Sequence, residues 1–223
     1  MEFNFRKKIV FDFLPQETKK AFDFLANQKW LEKTDWYLAG GTAIALQAGY
    51  RKSVDLDFFT KNNKFDNTGL INNLSLCKEL KIDINKEGTL YARMFDAKIS
   101  FISYPFFIPK MEFIKNGTIK ILQLEDIAVM KIIAISQRGK KRDFFDLYWC
   151  IKNTESLEVI IKKLPDQYPL VAHNYNHILK SLVYFEDAEN DPELSVSINI
   201  SWAEIKQFFK EEITLISKKL ILD

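Results

Sequence analysis

Apolar and polar positions change period several times along the chain, and each change marks an element. Tyr37 to Ala39 is a short apolar run stopped by Gly40 and Gly41, residues 42–48 are helix-forming, and residues 54–59 alternate with the two-residue period of a strand. That alternation turns Asp55 and Asp57 to one face and Val54, Leu56 and Phe58 to the core. Upstream, residues 15–33 open at Pro15 and carry Ala21, Phe22, Leu25 and Trp30 near helical spacing, which predicts an amphipathic helix covering a sheet. Downstream come a polar loop at 61–68, a helix at 69–80 and strand-like runs at 81–85, 89–95 and 97–104. Lys86-Glu87-Gly88 is a hairpin turn, Asp96 sits at the next junction, and 117–122 predicts one more short strand.

From residue 124 the period becomes helical. A long apolar helix is expected over 124–137 with Gly139 as its stop, another over 143–151, and from Leu157 on helices broken at Pro165 and Pro169. A helix at 174–185, an acidic loop to Ser195 and a last helix at 202–220 complete the pattern. The fold class read from this is α+β: a mixed-sheet core with an N-terminal helix over residues 1–122 and an α-helical C-terminal half over 123–223.

Composition narrows the function classes. The chain has 223 residues, 47% of them hydrophobic, enough to build a sizeable core. With a net charge of +2, bulk polycation binding to nucleic acid is excluded, so any such contact needs a local patch. The N-terminus carries positive charges, but its apolar run is broken by Asp12 and no run reaches membrane-spanning length, so a cytoplasmic protein is expected. Cys77 and Cys150 both fall inside amphipathic patterns, as reduced core residues would. His173 and His177 are helix neighbours, but with no cysteine or acidic motif beside them they fall short of a zinc site.

The chemistry concentrates in WYLAGGTAIALQAGYRKSVDLDFFT, residues 36–60. Two residues of extended chain place the Cα atoms of Asp55 and Asp57 about 6.6 Å apart, so their carboxylates can converge on a hard cation. At about 4 Å the two charges would repel by roughly 4 kcal/mol at an effective dielectric near 20, a cost that a divalent cation reverses. The helix opening at Gly41 and Thr42 offers unpaired backbone N–H groups and its positive dipole end, a seat for phosphate that glycine leaves open. Together these are parts for holding a nucleoside triphosphate (NTP) and polarising it for attack. Further on, Lys131 and Arg138 are seven residues apart, about 10.5 Å along one helix face, close to the span of a triphosphate. The alternative is that Lys131 snorkels from a buried helix. With Lys140, Lys141 and Arg142 the two form a cationic run without an anion, either a solvated face or a triphosphate or RNA-backbone contact.

These motifs resemble a known family. Ala39-Gly40-Gly41-Thr42-Ala43, with Arg51-x-Ser53-x-Asp55-x-Asp57-Phe58, resembles the first motif of DNA polymerase β-like nucleotidyltransferases, and in detail the AbiEii/AbiGii abortive-infection toxin branch. Lys131 to Arg138 is similar to that branch's KxxAxxxR motif and Arg142 to Asp146 to its (K/R)DxxD motif, while Tyr184 to Glu189 and Trp202 to Phe209 are similar to a C-terminal signature. The match covers roughly residues 35–210. The resemblance implies a nucleotidyltransferase that uses Mg2+ (or Mn2+) on Asp55 and Asp57. It further implies nucleotide contacts from Gly40, Gly41, Thr42, Arg51, Ser53, Lys131 and Arg138, and a catalytic part for Lys131 and Asp143. An antitoxin partner and an RNA acceptor such as a tRNA 3′ end belong to the same implication.

The chain departs from the superfamily at the third carboxylate. The strand expected to supply it, residues 97–104, contains no acid, leaving Asp96 just before it, or Asp143 or Asp146 from the later helix, to complete the metal site. By residue type alone Asp96 is equally a turn aspartate and Asp143 a helix cap. Two rival functions stay open at this point: a metal-dependent nuclease or phosphotransferase with the same carboxylates, and a noncatalytic nucleotide- or partner-binding module that kept the fold.

Overall fold

The computed structural model describes residues 9–222; the basic stretch at residues 1–8, read above for a leader, lies outside them. Two compact units are present: one runs to Pro105 and includes Met111–Gln123, the other joins Phe106–Lys110 to everything from Leu124 on. In chain order the first holds α1 (Gln16–Ala26), α2 (Lys29–Glu32), β1 (Tyr37–Ala39), α3 (Gly40–Ala48), β2 (Leu56–Thr60), α4 (Asn67–Leu74), β3 (Leu80–Lys86), β4 (Thr89–Met94), β5 (Ala97–Ser103), β6 (Ile114–Asn116) and β7 (Ile119–Ile121). Its strands form one mixed sheet in the order β3-β4-β5-β2-β1-β7-β6. β2 runs parallel to β5 and β1 to β7, and the other neighbours are antiparallel.

Local chemistry explains where the elements depart from the periodic reading. The helix expected over 15–33 stops at Ala26, because the amides of Asn27 and Gln28 fold back onto the carbonyls of Asp23 (2.8 Å) and Phe24 (3.0 Å). The Ala26 carbonyl then accepts from Thr118 N (2.9 Å), beside a turn where Gly117 has φ +56°. A Cβ there would stand 2.2 Å from that oxygen, so residues 114–121 fold as the hairpin β6–β7 around glycine rather than as one strand. Asp66 caps α4 by accepting from Gly69 N (3.0 Å), and the helix ends at Leu74, earlier than expected. Val54, assigned to the core by alternation, is 53% exposed: β2 begins only at Leu56, and the Val54 carbonyl is taken by the Thr18 hydroxyl (2.8 Å). Leu56 and Phe58 are buried as expected, with Phe58 stacked on Phe101 at 5.0 Å.

The second unit holds α5 (Leu124–Arg138), α6 (Lys141–Asn153), α7 (Leu157–Lys162), α8 (Leu164–Gln167), α9 (Tyr175–Ser181), α10 (Glu186–Glu189) and α11 (Trp202–Leu222). Gly139, at φ +51°, ends α5 by donating its N–H to Ile135 (3.1 Å). The Phe106–Lys110 segment joins this unit through Ile108 N to Gln167 O (2.8 Å), Lys110 N to Asp126 Oδ2 (2.9 Å) and the Phe107 ring 5.1 Å from Tyr168. No helix among the described residues is long and apolar enough to cross a membrane.

Phe144 on α6 is fully buried and meets the rings of Phe185 (5.2 Å), Phe209 (5.5 Å) and Trp202 (5.6 Å), so it ties α6 to α11. Phe144→Ala is expected to lower the unfolding free energy by about 3–5 kcal/mol, the range for a large buried ring removed to leave a cavity. Urea denaturation followed by tryptophan fluorescence checks this; a loss below about 1 kcal/mol would mean the surroundings collapse to fill the space.

Candidate active site

In the first unit the strand ladder builds the site. β1 pairs with β2 so that Ala39 lies opposite Asp57, which sets the Gly40 turn beside the Asp57 carboxylate. Gly40 has φ +69°, and a Cβ on it would stand 3.2 Å from Asp57 Oδ2. Only glycine combines that backbone with so close an approach. On the other side β2 pairs in parallel with β5, Asp57 lies opposite Ser100, and the Ser100 hydroxyl donates to Asp57 Oδ1 at 2.6 Å. Asp55, just before β2, is half-buried, and its Oδ1 is sealed from solvent with no hydrogen-bond donor. A buried carboxylate oxygen without a donor loses its hydration uncompensated unless a cation or another ligand reaches it.

The remaining residues of the first motif support this pair from behind. Thr42 is buried, and its hydroxyl bonds the Asp55 carbonyl and the Ser53 hydroxyl (2.9 Å), so it fastens α3 to the aspartate strand. That hydroxyl, expected to receive phosphate, is engaged within the protein instead. Arg51 is likewise buried: its Nε donates to the Tyr50 hydroxyl (3.2 Å) and its Nη1 to the Lys52 carbonyl (3.0 Å). A Cβ on Gly41 would stand 2.5 Å from Arg51 Nη2 and 3.0 Å from Ser53 Oγ. Arg51 and Ser53 therefore back the glycine turn, where the guanidinium charge reinforces the positive helix end. Asp96 is exposed in the β4–β5 turn at φ +65°. It precedes Ser100 by four residues, about 13 Å of extended chain, so the register carries it away from Asp57 and a hydroxyl occupies the strand position facing that aspartate. Ser100 is not an acid and so does not stand out by residue type; its mark in the sequence is a small hydroxyl between Ile99 and Phe101.

The second unit gathers Lys131, Arg138, Asp143 and Asp146. The Lys131 ammonium is buried between Asp143 Oδ1 (2.8 Å) and Asp146 Oδ2 (2.6 Å), so it neither snorkels to water nor presents itself directly to a triphosphate. Arg138 donates from Nε to Asp143 Oδ2 (2.9 Å) and from Nη2 to Oδ1 (3.1 Å), while its side chain stays 49% exposed. Burial alone would push the Asp143 carboxyl up, but Lys131 and Arg138 outweigh it and hold it below its ordinary value near 3.8. Burial would likewise push the Lys131 ammonium down, yet Asp146 and Asp143 keep it above 10.5. With both oxygens engaged and its proton affinity lowered, Asp143 is a poor general base. Its N–H bonds Lys140 O, and the residue before α6 is Lys140, so Asp143 is not the helix cap either.

The cationic run after Arg138 divides. Lys141 is buried: its Nζ bonds the Asp191 carbonyl (3.0 Å) and Glu193 Oε1 (3.1 Å), and its ammonium lies 5.7 Å from the Trp202 ring centre. This anchoring takes Lys141 out of any RNA contact. Lys140 is exposed but paired with Asp191 at 3.2 Å, and Arg142 is exposed. His173 and His177 spend their Nε2 atoms on the carbonyls of Tyr168 and Ser136, both at 3.1 Å. Among the described residues no three or more His, Cys, Asp or Glu side chains are gathered to hold a metal, so a cation on the Asp55–Asp57 pair would complete its shell with water or phosphate oxygens, as Mg2+ commonly does.

Removing Lys131 leaves two buried carboxylates facing each other, so Lys131→Ala is expected to cost about 3–5 kcal/mol in stability. The pH dependence has a defined sign. Asp143, depressed when folded, stabilises above its unfolded value of 3.8 and loses that contribution as pH falls through the folded value; Lys131, raised when folded, stabilises below 10.5 and loses it as pH rises past the folded value. Asp143→Asn should therefore flatten the acid limb of a stability–pH curve measured by denaturant unfolding. An unchanged acid limb would place the acid sensitivity elsewhere.

Comparison with known proteins agrees with the fold and the family resemblance. The family model for nucleotidyl transferase AbiEii toxins of type IV toxin–antitoxin systems matches residues 23–220. An uncharacterized protein of Aquifex aeolicus (strain VF5) is 36% identical over 187 residues, covering 80% of this chain and 86% of its own. Among solved structures, JHP933 from Helicobacter pylori aligns with TM-score 0.55 at 22% identity over 93% of this chain and 94% of that one. MenT4, a nucleotidyltransferase toxin from Mycobacterium tuberculosis H37Rv, aligns with TM-score 0.54 at 15% identity over 88% and 82%. The chain belongs to the AbiEii family of nucleotidyl transferase toxins.

Proposed function

We propose that this toxin moves a nucleotidyl group from an NTP to an RNA acceptor, a tRNA 3′ end being the first to test, with Mg2+ (or Mn2+) held by Asp55 and Asp57. The observation carrying this reading is the buried Asp55 Oδ1 without a donor, on the strand whose next aspartate abuts a glycine turn at a helix start. Two carboxylates are hard oxygen donors of the kind divalent cations take. A cation bound there supplies a Lewis acid that polarises the α-phosphate and neutralises the leaving pyrophosphate.

The chain's own residues do the rest. Backbone N–H groups at Gly41 and Thr42 receive phosphate oxygens, with Arg51 adding positive charge behind them. In the helical unit Arg138 is held in orientation by Asp143, while Lys131 and Asp146 fix Asp143 in turn, leaving an oriented guanidinium on that unit's surface. The acceptor hydroxyl oxygen bonds the α-phosphorus as the bond to the bridging oxygen breaks, pyrophosphate departs, and the hydroxyl proton goes to solvent. Lys140 and Arg142 are the RNA contacts we assign. Family membership supports an antitoxin partner, and an NTP and an RNA acceptor as substrates fit a cytoplasmic reaction.

Incubation with each α-labelled NTP, Mg2+ and total RNA tests the reading. Label should enter RNA, and Asp55→Asn or Asp57→Asn should cut incorporation by about 100-fold or more, the scale for losing a preorganised electrostatic group. Phosphate release without incorporation would instead indicate a nuclease or phosphotransferase, and NTP binding without turnover a noncatalytic module. For the acceptor contact, Lys140→Ala with Arg142→Ala should lower the salt slope of tRNA binding by about 0.7 per lost single-strand phosphate contact while NTP affinity holds. An unaltered slope would remove this pair from the RNA-binding surface.

A further inference from the structure

We infer that Ser100 is a positioning residue that fixes how the aspartate pair presents itself and limits it to a single divalent cation. The inference rests on the metal-site reading above. Ser100 is 8% exposed, lies directly opposite Asp57 in the parallel β2–β5 ladder, and donates to Asp57 Oδ1 at 2.6 Å. Oδ1 is thereby committed to a neutral donor, and Oδ2 is the oxygen turned toward the Gly40 turn. A partial rotation of the carboxylate out of this orientation would cost the serine bond.

The charge count follows from the same position. Two cations side by side need carboxylate oxygens on both, and a third acid on the strand beside Asp57 would supply them. Here that strand position carries a hydroxyl, and Asp96, the acid nearest it along β5, is in the turn. Two negative charges, with one oxygen occupied by Ser100, suit one cation completed by phosphate and water oxygens. Outer-shell donors of this kind orient the ligand they touch, and their loss costs affinity without changing the ligand set.

Isothermal titration of the full chain with Mn2+, without nucleotide or RNA, reads this apart from activity. Wild type should bind one equivalent. Ser100→Ala should bind about 10-fold more weakly while remaining folded in the absence of metal, Ser100→Thr should restore wild-type affinity, and Ser100→Asp should tighten binding or add a second equivalent. Wild-type affinity and stoichiometry in both Ser100→Ala and Ser100→Asp would overturn the inference, as would two equivalents in the wild type. Asp57→Asn in the same series keeps the parent reading separate: if it too binds Mn2+ like wild type, the metal site itself is wrong, whereas loss in Asp57→Asn with no change in Ser100→Ala rejects only the role of the serine.

Discussion

The position of Asp57 between two strands is the constraint on which the proposed nucleotide site depends. Its antiparallel partner on β1 is Ala39, the residue before the Gly40 turn, and its parallel partner on β5 is Ser100. One ladder thus sets a carboxylate, a helix start and an orienting hydroxyl within a few ångströms, with no loop needed to bring them together. Thr42 closes the arrangement by bonding the Asp55 carbonyl, so the helix that would receive phosphate is fastened to the strand that would receive the cation. A site built on a ladder and one helix turn is held by backbone bonds, which is how reacting groups keep a fixed geometry while charge redistributes.

The acids of the two units have different electrostatic lives. Asp143 and Asp146 are fully buried and answered by Lys131 and Arg138 within the same helix pair. Such a network is expensive to break and contributes little as a proton acceptor, and here it serves to hold an arginine whose outer face meets solvent. Asp55 has an oxygen that nothing in the protein answers. Two residues before Asp57, it is the oxygen to which we assign the cation.

Much of this was legible in the sequence because it rests on local period. The run from Tyr37 to Phe59 announces strand, glycine turn, helix and aspartate strand by spacing alone, and three of the sheet's strands follow from alternation bounded by turn residues. Features set by distant pairing were not legible. Lys131 looked available because its partners lie on the following helix, and Lys141 looked like part of a basic surface because Asp191 and Glu193, fifty residues later, bury it. Ser100 is the sharpest case: only the β2–β5 register shows that it faces Asp57, while Asp96, the acid that composition offers, is carried off by the turn. Val54 shows the same limit at smaller scale, since its place in an alternating run says core while a side-chain bond from Thr18 takes its carbonyl out of the ladder.

The most direct measurement is a crystal structure of the full chain with Mn2+ and a nonhydrolysable NTP, using anomalous scattering to locate the metal. The account predicts a single Mn2+ coordinated directly by Asp55 and Asp57, with phosphate oxygens on the backbone N–H groups of Gly41 and Thr42. A metal bound away from both aspartates, or a triphosphate that avoids the glycine turn, would contradict it.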